Sequence, residues 1–254
     1  MKVIILQHDI KWACPADNHK HLEDLLMQQP KADLYVLAEM FSTGFATEPE
    51  GIAEKDGASL TWMKRMAKQL DAAIAGSVAT EEDGHFYNRF YFVEPDGKVS
   101  HYDKRHLFTY SGEDKQFTKG EQRVIVAFRG VRFLLEVCYD LRFPVWSRNR
   151  GDYDVIIYVA SWPSSRIEVW NTLLRARAIE NQSFVIGVNR IGSDTKCEYP
   201  GGSAIIDPYG RTIDNTFDYQ EATATAEINM NDLEAFRQKF PVMNDADSFE
   251  LSKQ

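Results

Sequence analysis

The chain has 254 residues, of which 44% are apolar, and its formal net charge is −9 at pH 7. This length and composition allow a sizeable buried core. An acidic chain without a basic patch repels phosphate backbones, which argues against nucleic acid as a partner.

The first predicted element is a short β-strand at residues 3–6, within MKVIILQHDIKW. The apolar run there ends at Gln7 and is too short for a signal peptide. The longest later apolar run, VIIYVA at 155–160, is far shorter than the roughly 20 residues that cross a bilayer. The 3 cysteines include no CxxC pair, which is typical of a reducing compartment. We therefore expect a cytoplasmic protein without membrane contact.

The rest of the chain alternates between short β-branched runs and segments of helical period. Strands are predicted at 34–38, 73–77, 86–93, 98–102, 124–128, 132–137, 155–159, 184–189, 202–206 and 222–227. Helices are predicted at 19–29, 59–70, 168–181 and 231–239. The turn sequences EPDGK and DPYGR predict hairpins, and therefore mixed sheets. Because no linker or change in composition divides the chain, we expect a single α/β domain at residues 1–254.

Cys138 follows the predicted strand 132–137, in EVCYDLRFP. A free cysteine is most often a buried, inert residue. Here, however, FPVWSRN predicts that a helix begins just after the strand, and backbone N–H groups and the positive end of the helix dipole at such a turn stabilise a thiolate. All six histidines precede Cys138, which excludes a papain-like order. The base that activates this cysteine would be an upstream histidine or a carboxylate.

Charged residues follow two other predicted strands. Glu39 directly follows the predicted strand 34–38 in LAEMFSTGF, and Lys104 lies two residues after the predicted strand 98–102 in YDKRHLF. A single charged residue after a strand usually lies in a solvated loop, but α/β enzymes gather their catalytic groups at strand ends. A glutamate, a lysine and a cysteine at three strand ends therefore form a candidate catalytic set.

The segments LAEMFSTGF, YDKRHLF and VCYDLRFPVW, in this order and spacing, resemble the three signatures of the nitrilase superfamily of carbon–nitrogen hydrolases. The resemblance runs from QHDIKW to GGSAIIDPYG. The segment ASWPSSRIEVWNTLLRARAIENQSFVIGVNRIG is similar to the omega-amidase branch, which hydrolyses the terminal amide of 2-oxoglutaramate or 2-oxosuccinamate. The resemblance implies a four-layer α-β-β-α sandwich whose subunits pair into a homodimer or higher oligomer. It also implies a small-molecule amide substrate and no metal or organic cofactor.

The family triad maps onto Glu39, Lys104 and Cys138. A second family glutamate corresponds to Glu113, with Glu121 as the alternative. The implied reaction uses Glu39 as the base for the cysteine and passes through a thioester. Lys104 and the backbone N–H of Tyr139 hold the oxyanion.

The remaining expectations concern the substrate pocket. Phe41, Tyr110 and Trp162 are predicted to wall it, and Arg166 is predicted to bind a substrate carboxylate. Another branch of the family is the main alternative: an aliphatic amidase, a nitrilase or a carbamoyl-amide hydrolase. A non-catalytic binding member of the fold is a further one.

Three residues near the cysteine carry structural expectations. Asp140 and Arg142 are expected to fix the turn by local hydrogen bonds, with contact between Arg142 and the substrate as the alternative. Glu136 lies two residues before Cys138, and the strand period places both on one face. An unpaired Glu136 would oppose thiolate formation, so we expect it to be hydrogen-bonded within the sheet or to Arg142.

Overall fold

Fourteen strands and five helices make up the fold in the computed structural model, which describes residues 1–251. The strands are β1 (Lys2–Gln7), β2 (Leu34–Val36), β3 (Ala73–Glu82), β4 (His85–Val93), β5 (Val99–Asp103), β6 (Ile125–Phe128), β7 (Val131–Val137), β8 (Val155–Ala160), β9 (Phe184–Asn189), β10 (Ile191–Ser193), β11 (Glu198–Pro200), β12 (Ala204–Ile206), β13 (Thr212–Asn215) and β14 (Ala222–Glu227). The helices are α1 (Pro15–Met27), α2 (Ala58–Leu70), α3 (Pro144–Ser147), α4 (Ile167–Asn181) and α5 (Met230–Lys239).

Two mixed six-stranded sheets form the centre of the molecule. The first has the order β14-β1-β2-β3-β4-β5 and the second β13-β12-β9-β8-β7-β6. In each sheet three neighbouring strands are parallel: β1, β2 and β3 in the first, and β7, β8 and β9 in the second. Hairpins supply three of the antiparallel edge strands, β5, β6 and β13, two of them through the predicted EPDGK and DPYGR turns. The fourth edge strand, β14, pairs antiparallel with β1.

Alternate side chains of the buried strands face two different layers. In β1, Val3 and Ile5 pack between the two sheets, whereas Ile4 and Leu6 pack against α1 and α2. The second sheet packs its other face on α4 through a separate apolar cluster. This alternation produces four layers, α-β-β-α, and explains why the central strands are apolar throughout.

Every predicted strand is present, but three short ones were missed. β10, β11 and β13 contain only three or four residues, with polar or turn-forming side chains that give no apolar alternation. Across residues 1–251, no helix combines the length and the apolar character that a membrane crossing requires.

His8, which follows β1, makes the stability of this fold depend on pH. It is 1% exposed, and burial lowers its pKa to about 4 from an ordinary 6.5. Between these two values the unfolded chain binds more protons than the folded one, so stability falls as the pH falls. The loss between pH 7.5 and pH 5 amounts to about 2 kcal/mol for this group.

When the pH is lowered from 7.5 to 5, the free energy of unfolding of His8→Gln is therefore expected to fall by about 2 kcal/mol less than that of the wild type. Urea unfolding at the two pH values measures the difference. The exposed His85 provides the control, because His85→Gln is expected to retain the wild-type pH dependence. An equal loss in the wild type and in His8→Gln would contradict the role of His8.

Candidate active site

A buried lysine joins two glutamates where β5 leaves the first sheet. Lys104 follows β5, and its Nζ donates to Glu39 Oε1 at 3.0 Å and to Glu113 Oε1 and Oε2 at 3.1 and 2.9 Å. All three side chains are 0% exposed. A buried charge is tolerated when opposite charges and hydrogen bonds surround it, so this cluster is fixed in geometry.

Three further donors hold the same carboxylates. The amide Nδ2 of Asn88, in β4, donates to Glu39 Oε1 at 2.8 Å and to Glu113 Oε1 at 3.2 Å. The backbone N–H of Ser161, just after β8, donates to Glu39 Oε2 at 2.8 Å. The backbone N–H of Phe108 donates to Glu113 Oε2 at 2.6 Å. Each carboxylate oxygen therefore accepts at least one hydrogen bond.

The chain reaches Glu113 through a loop that folds back onto the end of β5. The Gly120 N–H donates to the Lys104 carbonyl at 2.9 Å, and a Cβ on Gly120 would lie 1.9 Å from the Asp103 carbonyl oxygen. Only glycine permits this approach. The structure thus brings Glu113 to Lys104 and leaves Glu121 exposed on the surface.

Cys138 stands at the end of β7, in a strained turn. Its φ is 45°, in the left-handed region that disfavours side chains. Asp140 holds the turn by accepting from Val137 N at 2.9 Å, and it also accepts from the Tyr102 hydroxyl at 2.9 Å and from His106 N at 3.0 Å. The expected role of Asp140 is thereby observed, and it also ties the nucleophile turn to the Lys104 loop.

The expected helix after the cysteine is largely missing. A 3₁₀ turn occupies Cys138–Arg142, and α3 at Pro144–Ser147 has only four residues. The interpretation that a helix dipole stabilises the thiolate was therefore wrong, since so short a helix has little macrodipole.

Charges around Cys138 set its protonation state. Burial and the nearby Glu39 raise the pKa of the thiol well above its ordinary value, while Lys104 and a hydrogen bond from the Ser161 backbone lower it. Burial alone would lower the pKa of Lys104, but Glu113 and Glu39 raise it overall. The resting site therefore pairs a protonated thiol with a charged ammonium, and attack by the sulfur requires a base.

A cavity of about 1150 Å³ opens above this cluster, and Lys104 and Cys138 line it. Three of the four residues predicted for the pocket, Tyr110, Trp162 and Arg166, also line it, and so does Tyr139, whose backbone N–H is predicted to hold the oxyanion. The prediction for Phe41 was wrong. Phe41 is 0% exposed and packs on Trp62 of α2, because the left-handed turn at Met40 sends the next side chain toward the helix layer.

Arg142 also lines the cavity, which fits the alternative of contact with the substrate rather than the expected role in the turn. Its guanidinium lies 5.1 Å from the Trp162 ring centre, and that of Arg166 lies 5.3 Å from the Phe108 ring centre. Within residues 1–251 neither arginine forms an ion pair. Two cations without an acidic partner therefore face the space above Cys138.

Glu136 is not hydrogen-bonded, which corrects the expectation that it bonds within the sheet or to Arg142. Both carboxyl oxygens are buried without a partner among the described residues, and β7 places Glu136 in register with Tyr158 of β8. Burial, followed by repulsion from Asp140, raises the pKa of Glu136 well above its ordinary value. A neutral Glu136 does not oppose a thiolate at Cys138.

Sequence reasoning missed Asn88 and Ser161. The signal for Asn88 was present, because a single amide interrupts the aromatic strand HFYNRFYFV, where a buried polar residue needs a partner. Ser161 acts through its backbone N–H, which side-chain identity does not reveal. Among residues 1–251, no group of three or more His, Cys, Asp or Glu side chains could hold a metal ion.

The carbon-nitrogen hydrolase family model matches residues 2–238 of the chain. The chain belongs to this family. It is 45% identical to the omega-amidase YafV of Escherichia coli (strain K12), over 99% of this chain and 98% of that protein. It is 36% identical to the 2-oxoglutaramate amidase of Bacillus subtilis (strain 168), over 94% of this chain and 95% of that one.

The fold also matches that of a solved structure from the same superfamily. A CN-hydrolase superfamily protein of Xanthomonas campestris, with an arsenic adduct in its active site, has 40% identity and a TM-score of 0.96. The match covers 99% of both chains. The predicted family and the predicted four-layer sandwich are confirmed, and the protein is a hydrolase that acts on carbon–nitrogen bonds of amides.

Proposed function

We propose that the protein is an omega-amidase. It hydrolyses the terminal amide of small dicarboxylic acid monoamides, such as 2-oxoglutaramate, 2-oxosuccinamate and succinamate, to the acid and ammonia. The observation that carries this proposal is the pair Arg142 and Arg166, two cations without an acidic partner in the cavity of Cys138 and Lys104. The similarity to the two amidases of Escherichia coli and Bacillus subtilis supports it.

Acylation begins when Glu39 takes the proton of Cys138 and the sulfur attacks the amide carbon. The thiol needs this base because its pKa is raised. The carbonyl oxygen becomes an oxyanion, which accepts hydrogen bonds from Lys104 Nζ and from the backbone N–H of Tyr139. One such donor lowers the barrier by about 3 to 4 kcal/mol.

Glu39 then gives its proton to the leaving nitrogen, the carbon–nitrogen bond breaks, and ammonia leaves a thioester on Cys138. Water takes the position of ammonia, and Glu39 accepts its proton as the hydroxyl attacks the thioester. The carbon–sulfur bond then breaks, the acid leaves, and Glu39 returns the proton to the sulfur of Cys138. Glu113 keeps Lys104 charged and in place through its bonds of 2.9 and 3.1 Å. No step of this sequence calls on a metal or an organic cofactor.

The far carboxylate of the substrate binds Arg142 and Arg166. Their guanidinium groups stack near Trp162 and Phe108, which leaves the edges with their N–H groups available to a carboxylate. Tyr110 and Tyr139 also line the cavity, as do the exposed acids Glu48 and Glu50.

Comparison of succinamate with butyramide tests this proposal, because the two amides have the same carbon chain and differ in the far carboxylate. We expect kcat/KM for ammonia release to favour succinamate by at least about tenfold, the effect of one charge-assisted hydrogen bond. Arg166→Gln is expected to remove most of this preference. The exposed Arg175 on α4 offers the control, since Arg175→Gln is expected to keep it.

Equal efficiency on both amides would instead indicate a general aliphatic amidase. Ammonia from nitriles or carbamoyl compounds, but not from succinamate, would indicate another branch. A protein that releases no ammonia from any of these compounds would be a binding member of the fold.

We also propose that the chain acts as a single domain, that it assembles into a homodimer or higher oligomer, and that it works in the cytoplasm. Exposed apolar side chains near α4 support the assembly. Ile179 on α4 is 55% exposed, and the nearby Tyr209 and Phe240 are 52% and 60% exposed. A patch of this kind is typical of a contact between subunits.

A further inference from the structure

Asn88 contacts both carboxylates of the cluster, although it is not a member of the Glu39, Lys104 and Cys138 triad. It lies on β4, on the face that carries Phe90 and Phe92 into the core between the sheets. Its side chain is 0% exposed, and its single amide nitrogen lies 2.8 Å from Glu39 Oε1 and 3.2 Å from Glu113 Oε1. Each of its two amide hydrogens therefore has one carboxylate as acceptor.

The orientation of this amide is fixed by its neighbours. Rotation by a half turn would place Oδ1 against two carboxylate oxygens, so Nδ2 must face Glu39 and Glu113. In this orientation Oδ1 is buried without a partner among the described residues. A buried acceptor without a partner is unfavourable, so the two hydrogen bonds that Nδ2 donates must account for the position of the side chain.

A count of donors shows why the nitrogen matters. The ammonium of Lys104 has three hydrogens, and in the resting site its acceptors are Glu39 Oε1, Glu113 Oε1 and Glu113 Oε2. An oxyanion next to Cys138 needs one of those hydrogens. Without another donor, a glutamate oxygen would lose its bond at the moment when the lysine turns to the oxyanion.

The second donors are already in place. Glu113 Oε2 also accepts from the Phe108 backbone at 2.6 Å, and the Oε1 atoms of Glu39 and Glu113 both accept from Asn88. We propose that Asn88 is a positioning residue for the reaction: its amide keeps Glu39 and Glu113 in place while Lys104 gives one hydrogen to the oxyanion. This inference rests on the proposed amidase mechanism.

The groups that face Glu39 are Lys104, Glu113, Cys138, the Asn88 amide and the Ser161 backbone N–H. A carboxylate that loses a donor takes up its proton at higher pH, because hydrogen bonds stabilise the charged form. Loss of Asn88 therefore has a signature beyond lower activity: the acid limb of the pH profile of kcat/KM moves to higher pH.

The test compares Asn88→Ala and Asn88→Ser with the wild type, using succinamate and ammonia release. For Asn88→Ala we expect kcat to fall by about 10- to 100-fold, KM to change by less than about threefold, and the acid limb to rise by about one pH unit. Asn88→Ser keeps one O–H donor and is expected to lie between the wild type and Asn88→Ala in both quantities. If Asn88→Ala does not fold, the shift in Asn88→Ser decides.

Asn181 of α4 provides the matched control. It is also 0% exposed, but its amide donates to the Arg177 carbonyl, away from the cluster. Asn181→Ala is expected to lower the unfolding temperature and leave the acid limb unchanged. An Asn88 variant whose acid limb shifts no more than that of Asn181→Ala overturns the inference. A wild-type protein that releases no ammonia overturns the proposed function instead.

Discussion

Glu39→Gln is expected to lower the rate of ammonia release from succinamate by about 10³-fold or more, because one carboxylate serves both halves of the reaction. It accepts the thiol proton in acylation and the water proton in deacylation, and each general-base step contributes about 10²- to 10⁴-fold. The resting thiol is protonated because burial and Glu39 raise its pKa. Glutamine removes the repulsion from the thiolate, but it cannot accept a proton from the thiol or from water, so both steps lose their base.

The fold is expected to survive this substitution at a moderate cost. All three partners of Glu39 are donors: Lys104, Asn88 and the Ser161 backbone. The amide hydrogens of glutamine therefore face at least one donor, a conflict that costs about 1 to 3 kcal/mol. Removal of one of two neighbouring negative charges offsets part of this cost.

Three measurements check this prediction. Ammonia release reports turnover, thermal unfolding reports survival of the fold, and the mass of the chain after mixing with succinamate reports acylation of Cys138. The exposed Glu121 offers the same substitution outside the site, and Glu121→Gln is expected to behave like the wild type. Rapid formation of the acyl-enzyme mass in a folded Glu39→Gln variant would show that another group activates Cys138.

Strand ends were predictable because they depend on local pattern. Glu39, Lys104 and Cys138 each follow a predicted strand, and the meeting of strand ends explains why three distant residues lie in one cluster. The four layers were expected from the resemblance to the family, whereas the pattern of apolar strands alone predicts only that helices cover the sheets.

Side-chain direction within the loops was not predictable. Phe41 follows a left-handed Met40, and this one dihedral angle decides between the cavity and the helix layer. The side-chain positions of Arg142 and Glu136 depend on contacts with other elements. Arg142 stacks on Trp162, and Glu136 of β7 is buried by the elements that pack on this strand. No local pattern in the sequence encodes such contacts.

Lys104→Met is expected to abolish ammonia release, with a loss of at least about 10³-fold, and also to destabilise the fold. The oxyanion loses its ammonium donor, which alone accounts for about 3 to 4 kcal/mol of the barrier. Glu39 and Glu113 then remain buried beside each other without the cation that lies 2.9 to 3.1 Å from them in the wild type. Breaking a buried ion pair from one side costs about 3 to 5 kcal/mol of stability.

These two effects can be separated with a second substitution. Lys104→Met combined with Glu113→Gln removes one of the two opposed charges, so the double variant is expected to unfold at a higher temperature than Lys104→Met and to remain inactive. Lys115→Met, at an exposed lysine of the same loop, is expected to leave both activity and stability unchanged. Recovery of near-wild-type ammonia release in the folded double variant would contradict the oxyanion role of Lys104, because it would show that the lysine serves only to neutralise the glutamates.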